Sequence, residues 1–301
     1  METRVLPFTD ESIAEAARLI LAAEPVAVPT ETVYGLAADA TNAEAVARIY
    51  EAKGRPSFNP LIVHVPDLAT AERIGHFDAT ARELAQQYWP GPLTLVLPLK
   101  DGADIASIVT AGLTTIGLRV PAHRAIQAVL RATGRPLAAP SANASGSISP
   151  TRANHVLKSL GGRIPLIIDG GPTERGIEST IIGATGGPLR LLRTGPIAIK
   201  AELASGDRIE APGQLAGHYA PSKRLRIGAA KAEPDEYLIG FGEIHGDANL
   251  SPSGDLVEAA ARLFDLLHEA DESPRPRIAV APVPDAGLGA AINDRLRRAA
   301  A

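Results

Sequence analysis

The chain contains no cysteine. That absence removes disulfides, thiolate nucleophiles, iron–sulfur clusters and cysteine-ligated zinc together, and it suits a reducing compartment. Aromatic residues make up only 4% of the 301 positions, so the core has to be built from Ala, Leu, Ile and Val. No apolar run reaches the ~18 residues of a membrane-spanning helix, and Met1 to Asp10 lacks the apolar stretch of a signal peptide. The net charge is −4. Up to Ser205, 19 basic and 19 acidic residues cancel, and the remaining 11 basic and 15 acidic residues carry the deficit. Neither part has the basic excess usual in a nucleic-acid binder, although a balanced total can still contain a basic patch.

Several signatures are missing as well. There is no G-x-x-x-x-G-K-[ST], which excludes a P-loop, and no G-x-S-x-G, which excludes a nucleophile elbow. The seven histidines are scattered without metal-ligand spacing. Gly240-Phe241-Gly242 begins like a dinucleotide fingerprint, but Gly246 falls one residue too late, and a tight turn explains the glycines better.

What is present is an alternation of helical and β-rich segments. Helices are expected at 10–23, 42–53, 68–75, 78–88, 122–132, 151–160 and 196–204, and strands at 25–29, 61–65, 93–97, 116–120, 137–139, 166–169, 179–182 and 189–192. The mixture implies an α/β fold whose sheet can be mixed. Residues 206–222, punctuated by Pro212, Gly213, Gly217 and Pro221, read as a linker. Strands at 225–227, 237–241 and 278–281 with helices at 254–270 and 287–300 then form a small α/β domain. The expected organisation is a large domain over 1–205, the linker over 206–222 and a small domain over 223–301.

Chemistry concentrates in a few stretches. Pro29-Thr30-Glu31-Thr32-Val33-Tyr34-Gly35-Leu36 groups hydroxyls and a carboxylate after a buried run; it fits a polar-ligand site or a turn with capping threonines. Lys53 and Arg55, in a loop stiffened by Pro56 and Pro60, can clamp phosphate oxygens or complement a helix C-terminus. Arg119 lies between Leu118 and Val120 and needs a partner, which a substrate carboxylate or an internal acid can supply. Ala139-Pro140-Ser141-Ala142-Asn143-Ala144-Ser145-Gly146 presents small polar groups after a strand, as a ligand-binding loop or a plain surface loop does. Glu178-Ser179-Thr180, Arg193-Thr194-Gly195 and His218-Tyr219-Ala220-Pro221 are weak signals individually.

Taken in order, these segments resemble one family. The set P-T-E-T-x-Y-G-L, K-x-R-P-x-x-N-P-L-x-x-H, W-P-G-P-x-T, G-x-R-x-P, P-S-A-N-x-S-G, S-T-I, R-x-G and H-Y-A-P is similar to the threonylcarbamoyl-AMP synthase family, also called YrdC-type. Asn249-Leu250-Ser251-Pro252 and the run Gly287 to Arg295 resemble the second domain of its longer form. The resemblance implies a twisted mixed sheet over a concave cavity, a small Rossmann-like C-terminal domain, and a linker crossing the cavity mouth.

The resemblance also implies site roles. Thr32, His64, Arg119, Ala139 and Ser179 would form a threonine pocket. Lys53, Arg55, Asn59, Thr115, Ser141, Asn143, Ser149, Arg193 and Tyr219 would hold ATP, with Lys53 and Arg55 acting in catalysis. The implied activity is that of a cytoplasmic nucleotidyltransferase joining L-threonine, bicarbonate and ATP for threonylcarbamoyl-adenosine modification of tRNA. Mg2+ would come with ATP, and the product would pass to a tRNA threonylcarbamoyl transferase. No membrane contact and no strong direct tRNA binding are expected. Gln214, Leu215, Ala216 and Gly217 replace a linker segment that is often more basic in the family. Two other readings stay open: an RNA-binding module and a carbamoyl-phosphate-using carbamoyltransferase on the same fold.

Overall fold

The computed structural model of the chain describes residues 1–56, 58–204, 210–213 and 218–301. The first part of the chain supplies eleven strands: β1 (Arg4–Pro7), β2 (Val26–Pro29), β3 (Tyr34–Asp39), β4 (Ile62–His64), β5 (Leu93–Pro98), β6 (Thr115–Arg119), β7 (Leu137–Ala138), β8 (Leu166–Asp169), β9 (Thr180–Gly183), β10 (Arg190–Arg193) and β11 (Glu202–Leu203). They form one mixed sheet in the order β1-β8-β2-β3-β7-β4-β6-β5-β9-β10-β11. Six helices accompany it: α1 (Asp10–Leu21), α2 (Ala43–Lys53), α3 (Leu68–Ile74), α4 (Ala79–Tyr88), α5 (Arg124–Thr133) and α6 (Ala153–Leu160).

Side chains alternate across a strand with period two, and this sheet is buried on both faces as a result. Val26 and Val28 of β2, with Leu166 and Ile168 of β8, join the cluster under α1 and α5. Ala27 and Ile167, between them, join the main cluster on the other face. Farther along the sheet, Ile62, Val96, Ile181 and Leu192 form a third cluster that is covered by Ala211 of the linker.

Local chemistry sets the helix ends. Thr9 and Ser12 form a reciprocal capping box at α1, and Asn42 accepts from the Glu44 and Ala45 amides at α2. Gly54 ends α2 at φ 59°, a left-handed conformation that glycine adopts without strain. That reversal sends Lys53 and Arg55 in different directions from one helix end.

Residues 196–204 depart from expectation. No helix forms there; Glu202–Leu203 is a short edge strand running parallel to β10. Gly195-Pro196 stiffens the entry; Ile197, Ile199 and Ala201, spaced two apart as in an extended chain, pack against the main core, and Leu203 is left exposed. β1 and β3 were not anticipated either.

The C-terminal part contributes β12 (Arg224–Ile227), β13 (Glu236–Gly240), β14 (Ala248–Asn249), β15 (Arg277–Val280), α7 (Leu256–Glu272) and α8 (Leu288–Ala299). Its separate sheet, ordered β12-β15-β13-β14, is parallel throughout. Gly240 and Gly246 serve a tight turn: a Cβ on either would lie 2.0 or 2.3 Å from a backbone oxygen. Leu263, Phe264 and Leu267 of α7 share one cluster with Val33, Ile148, Ile177 and Tyr219, so the two parts have a common core. Of the expected linker 206–222, residues 206–209 and Gln214, Leu215, Ala216 and Gly217 lie outside the described residues. No helix among the described residues is long and apolar enough to cross a membrane.

Candidate active site

Over the central strands of the large sheet lies a cavity of about 50 Å³. Its wall is polar and buried.

The turn between β2 and β3 is shaped by Thr30, whose Oγ1 accepts from the Thr32 and Val33 amides and donates to the Val33 carbonyl at 2.7 Å. This holds Thr32 and Glu31 toward Arg119. Arg119 ends β6 and is 4% exposed. Its Nη2 donates to Glu31 Oε1 at 2.6 Å, its Nη1 to Thr32 Oγ1 at 3.1 Å and its Nε to the Gly91 carbonyl at 3.3 Å. The other Glu31 oxygen accepts from the Ala122 amide. Burial raises the Glu31 pKa, but the Arg119 charge and these hydrogen bonds outweigh it, and the net shift is downward.

His64 sits in register with Arg119 on the neighbouring parallel strand β4. Neither ring nitrogen has a hydrogen-bond partner. Burial, reinforced by the Arg119 charge, pushes its pKa well below the ordinary histidine value, against a weak pull from the Leu137 backbone. A neutral, unpartnered ring facing a cavity is a ready donor and acceptor for a ligand.

Ser179 completes this side. Its Oγ lies 2.8 Å from Thr94 Oγ1 and accepts from Arg193 Nη2 at 3.0 Å. Arg193 also donates through Nε to the Ser179 carbonyl and through Nη1 to the Pro212 carbonyl of the linker. His218 and Tyr219 close the cavity from the linker side. Tyr219 is 1% exposed and holds φ 66°, an uncommon conformation for a non-glycine residue. The rings of His218 and Tyr219 meet edge to face at 4.2 Å.

The comparisons with known proteins agree with one another. A family model described as "Telomere recombination" matches residues 18–195, and one described as "Threonylcarbamoyl-AMP synthase, C-terminal domain" matches residues 176–301. The chain is 40% identical to the threonylcarbamoyl-AMP synthase of Bacillus subtilis (strain 168), over 99% of this chain and 95% of that one. The chain belongs to the threonylcarbamoyl-AMP synthase family. It is also 39% identical to the Pyrococcus abyssi synthase, over 94% of this chain and 92% of that one. The crystal structure of P. abyssi Sua5 complexed with L-threonine superposes with a TM-score of 0.90 at 35% identity, covering 100% of this chain and 98% of that one.

Within this family fold the expected site residues fall into three groups. Thr32, His64, Arg119, Ala139, Ser141, Ser179, Arg193 and Tyr219 all line the cavity. Lys53, Arg55, Asn59, Asn143 and Ser149 are buried behind its wall. Lys53 Nζ donates to the Ser141 and Asn143 carbonyls, which shapes the loop after β7. Burial first, and then the Arg55 charge, pushes its pKa well down. Arg55 donates to the Asn59 and Pro60 carbonyls, and its pKa falls to about 10, chiefly through burial. Asn143 holds the same loop by donating to the Ala144 and Ser147 carbonyls. The Oδ1 atoms of Asn59 and Asn143 are buried without partners. Thr115 stands apart, in a smaller neighbouring cavity with Ile62, Ala211 and Pro212.

Three polar wall residues, Thr30, Glu178 and His218, were not chosen from the sequence. Thr30 is hidden among capping threonines. Glu178 and His218 were visible only as members of short, weak motifs. Glu178 lines the cavity while accepting from Ser149 Oγ and from Arg295 Nε, a partner that nothing near it in the chain announces.

Proposed function

We propose that the chain condenses L-threonine, bicarbonate and ATP into threonylcarbamoyl-AMP and pyrophosphate, and that this product serves tRNA modification through a separate transferase in the cytoplasm. The observation that carries the reading is that the five residues of the expected threonine pocket share one buried cavity with Ser141, Arg193 and Tyr219 of the expected ATP site. The likeness to a Sua5 structure with L-threonine bound supports it.

The geometry suggests a division of labour. Three of the five Arg119 N–H groups are engaged by Glu31, Thr32 and Gly91. The guanidinium is therefore fixed before the threonine carboxylate arrives, and its two remaining N–H groups suit that carboxylate. Thr32, neutral His64 and Ser179 would orient the amino-acid end. Threonine's amine, in its neutral form, adds to carbon dioxide or bicarbonate to give a carbamate. The carbamate oxygen attacks the α-phosphorus of ATP, the bond to the β-phosphate breaks and pyrophosphate leaves. No protein nucleophile is required, so rate comes from positioning and from fixed positive charge. Arg193 supplies that charge at the wall and Arg55 from behind, while Lys53 holds the loop that carries Ser141. Mg2+ would enter with the nucleotide. Among the described residues no three His, Asp or Glu gather as a cage. The wall carboxylate Glu178 and its neighbour Glu31 are both engaged by arginines, so the protein groups do not fit a resident ion.

The test is pyrophosphate release from ATP by the purified protein. Release should require both threonine and bicarbonate. Equal release without threonine, or release driven by carbamoyl phosphate in its place, would reject the reading.

A further inference from the structure

The C-terminal domain reaches into the wall of the active site. Arg295 of α8 is fully buried. Its Nε donates to Glu178 Oε2 at 3.0 Å, and its guanidinium carbon lies 5.5 Å from the centre of the Tyr219 ring. Asp294 Oδ2, 3.0 Å from Nη1, and Thr194 Oγ1, at 3.4 Å, brace it. Phe264 of α7 meets the other part of Tyr219, with ring centres 5.5 Å apart. His268 of α7 pairs through Nε2 with the Ser149 carbonyl at 3.2 Å, and Ser149 Oγ in turn donates to Glu178.

The approach is close. A Cβ on Gly176, two residues before Glu178, would lie 2.4 Å from the Ala260 and Ala261 carbonyls of α7. These contacts converge on two cavity-lining residues, Glu178 and Tyr219, rather than on the domain boundary alone. A buried ion pair is expensive to desolvate, and here one partner faces a cavity that has to accept a polyanion. An unpaired Glu178 would repel the triphosphate.

We propose that Arg295 is a positioning residue of the active site. It neutralises and orients Glu178 and clamps the Tyr219 ring, so that the C-terminal domain sets how well the nucleotide end of the cavity closes. The inference rests on the function proposed above. It gives the second domain a task that neither its Rossmann-like sheet nor its glycines suggest.

The experiment uses the full-length protein with Arg295→Met, Arg295→Lys and the pair Arg295→Met/Glu178→Gln. Hydrogen exchange of the His218, Tyr219, Ala220 and Ser222 amides is measured without substrates, and KM for ATP and for threonine is measured by pyrophosphate release. In Arg295→Met, the amides should exchange about tenfold faster or more because the clamp on Tyr219 is lost. The ATP KM should rise about tenfold while the threonine KM stays within about twofold, because the unpaired charge faces the nucleotide. Glu178→Gln should recover most of the ATP loss, and Arg295→Lys should lie between wild type and Arg295→Met. Wild-type exchange and ATP KM in both single variants would overturn the proposal, as would a threonine KM that rises with the ATP KM or a double variant without recovery. If Arg295→Met shows no cooperative unfolding, Arg295→Lys carries the same comparisons. The exchange measurement needs no turnover. A wild type that fails to release pyrophosphate therefore counts against the proposed function, while the exchange result still judges the clamp.

Discussion

At the scale of single residues, the site is organised by arginines whose partners are inside the protein. Arg119 is the clearest case. Arg119→Lys keeps the charge but loses the planar fork that reaches Glu31, Thr32 and Gly91 at once. Steady-state kinetics should show a loss in kcat/KM for threonine worth about 1–3 kcal/mol, with a smaller effect on ATP. Unchanged threonine kinetics would remove Arg119 from the pocket. The sequence showed that Arg119 needed a partner, because it interrupts an apolar run. It did not show which, since Glu31 lies 88 residues away in a threonine-rich turn. Lys53 and Arg55 were legible as cations at a helix end, but their backbone partners were not. Gly54 turns them apart, and each holds backbone carbonyls.

At the scale of elements, the linker carries the next expectation. His218 and Tyr219 are the linker's contribution to the cavity wall. The product is a mixed anhydride, which water destroys, and a lid that excludes solvent protects it. Tyr219→Ala should therefore release more free AMP per pyrophosphate and bind ATP more weakly. If both quantities match the intact enzyme, the linker is only a tether. Most helices were legible from their apolar periods, and Asn42 from its capping chemistry; the cap of α1 is Thr9 rather than Asp10, which is the first helical residue. β3 was not. Tyr-Gly-Leu-Ala-Ala-Asp has little β propensity, and it becomes a strand because every residue in it is buried between β2 and β7. The stretch 196–204 failed in the opposite sense: Ile197, Ile199 and Ala201 recur with the period of two of an extended chain and pack that way against the main core.

At the scale of the whole molecule, the two domains are joined by buried neutral histidines as well as by Arg295. His155 of α6 and His268 of α7 stack at 3.8 Å across the boundary. Burial lowers both pKa values, that of His155 to about 3, with the His268 ring adding to the effect. His218 is likewise lowered to about 3, chiefly by burial. The unfolded chain takes up these protons near pH 6.5 and the folded chain does not. Stability is thus fully present above about pH 6.5 and falls as pH drops toward 3. At pH about 5, His155 and His218 should each account for a loss of up to about 2 kcal/mol. Thermal unfolding between pH 7 and 5 checks this, and His155→Gln should flatten the profile; a wild-type midpoint constant over that range would contradict it.

The existence of a second α/β domain was legible in its alternating pattern, but its grip on the active site was not. Arg295 and Glu178 are 117 residues apart, and only the folded chain brings them together. The central claim is that one cavity joins threonine, bicarbonate and ATP. Its most direct test is the mass of the product formed with heavy-carbon bicarbonate. The account predicts threonylcarbamoyl-AMP carrying the label in its carbamoyl group, formed in step with pyrophosphate. An adenylate lacking either the label or threonine would contradict it.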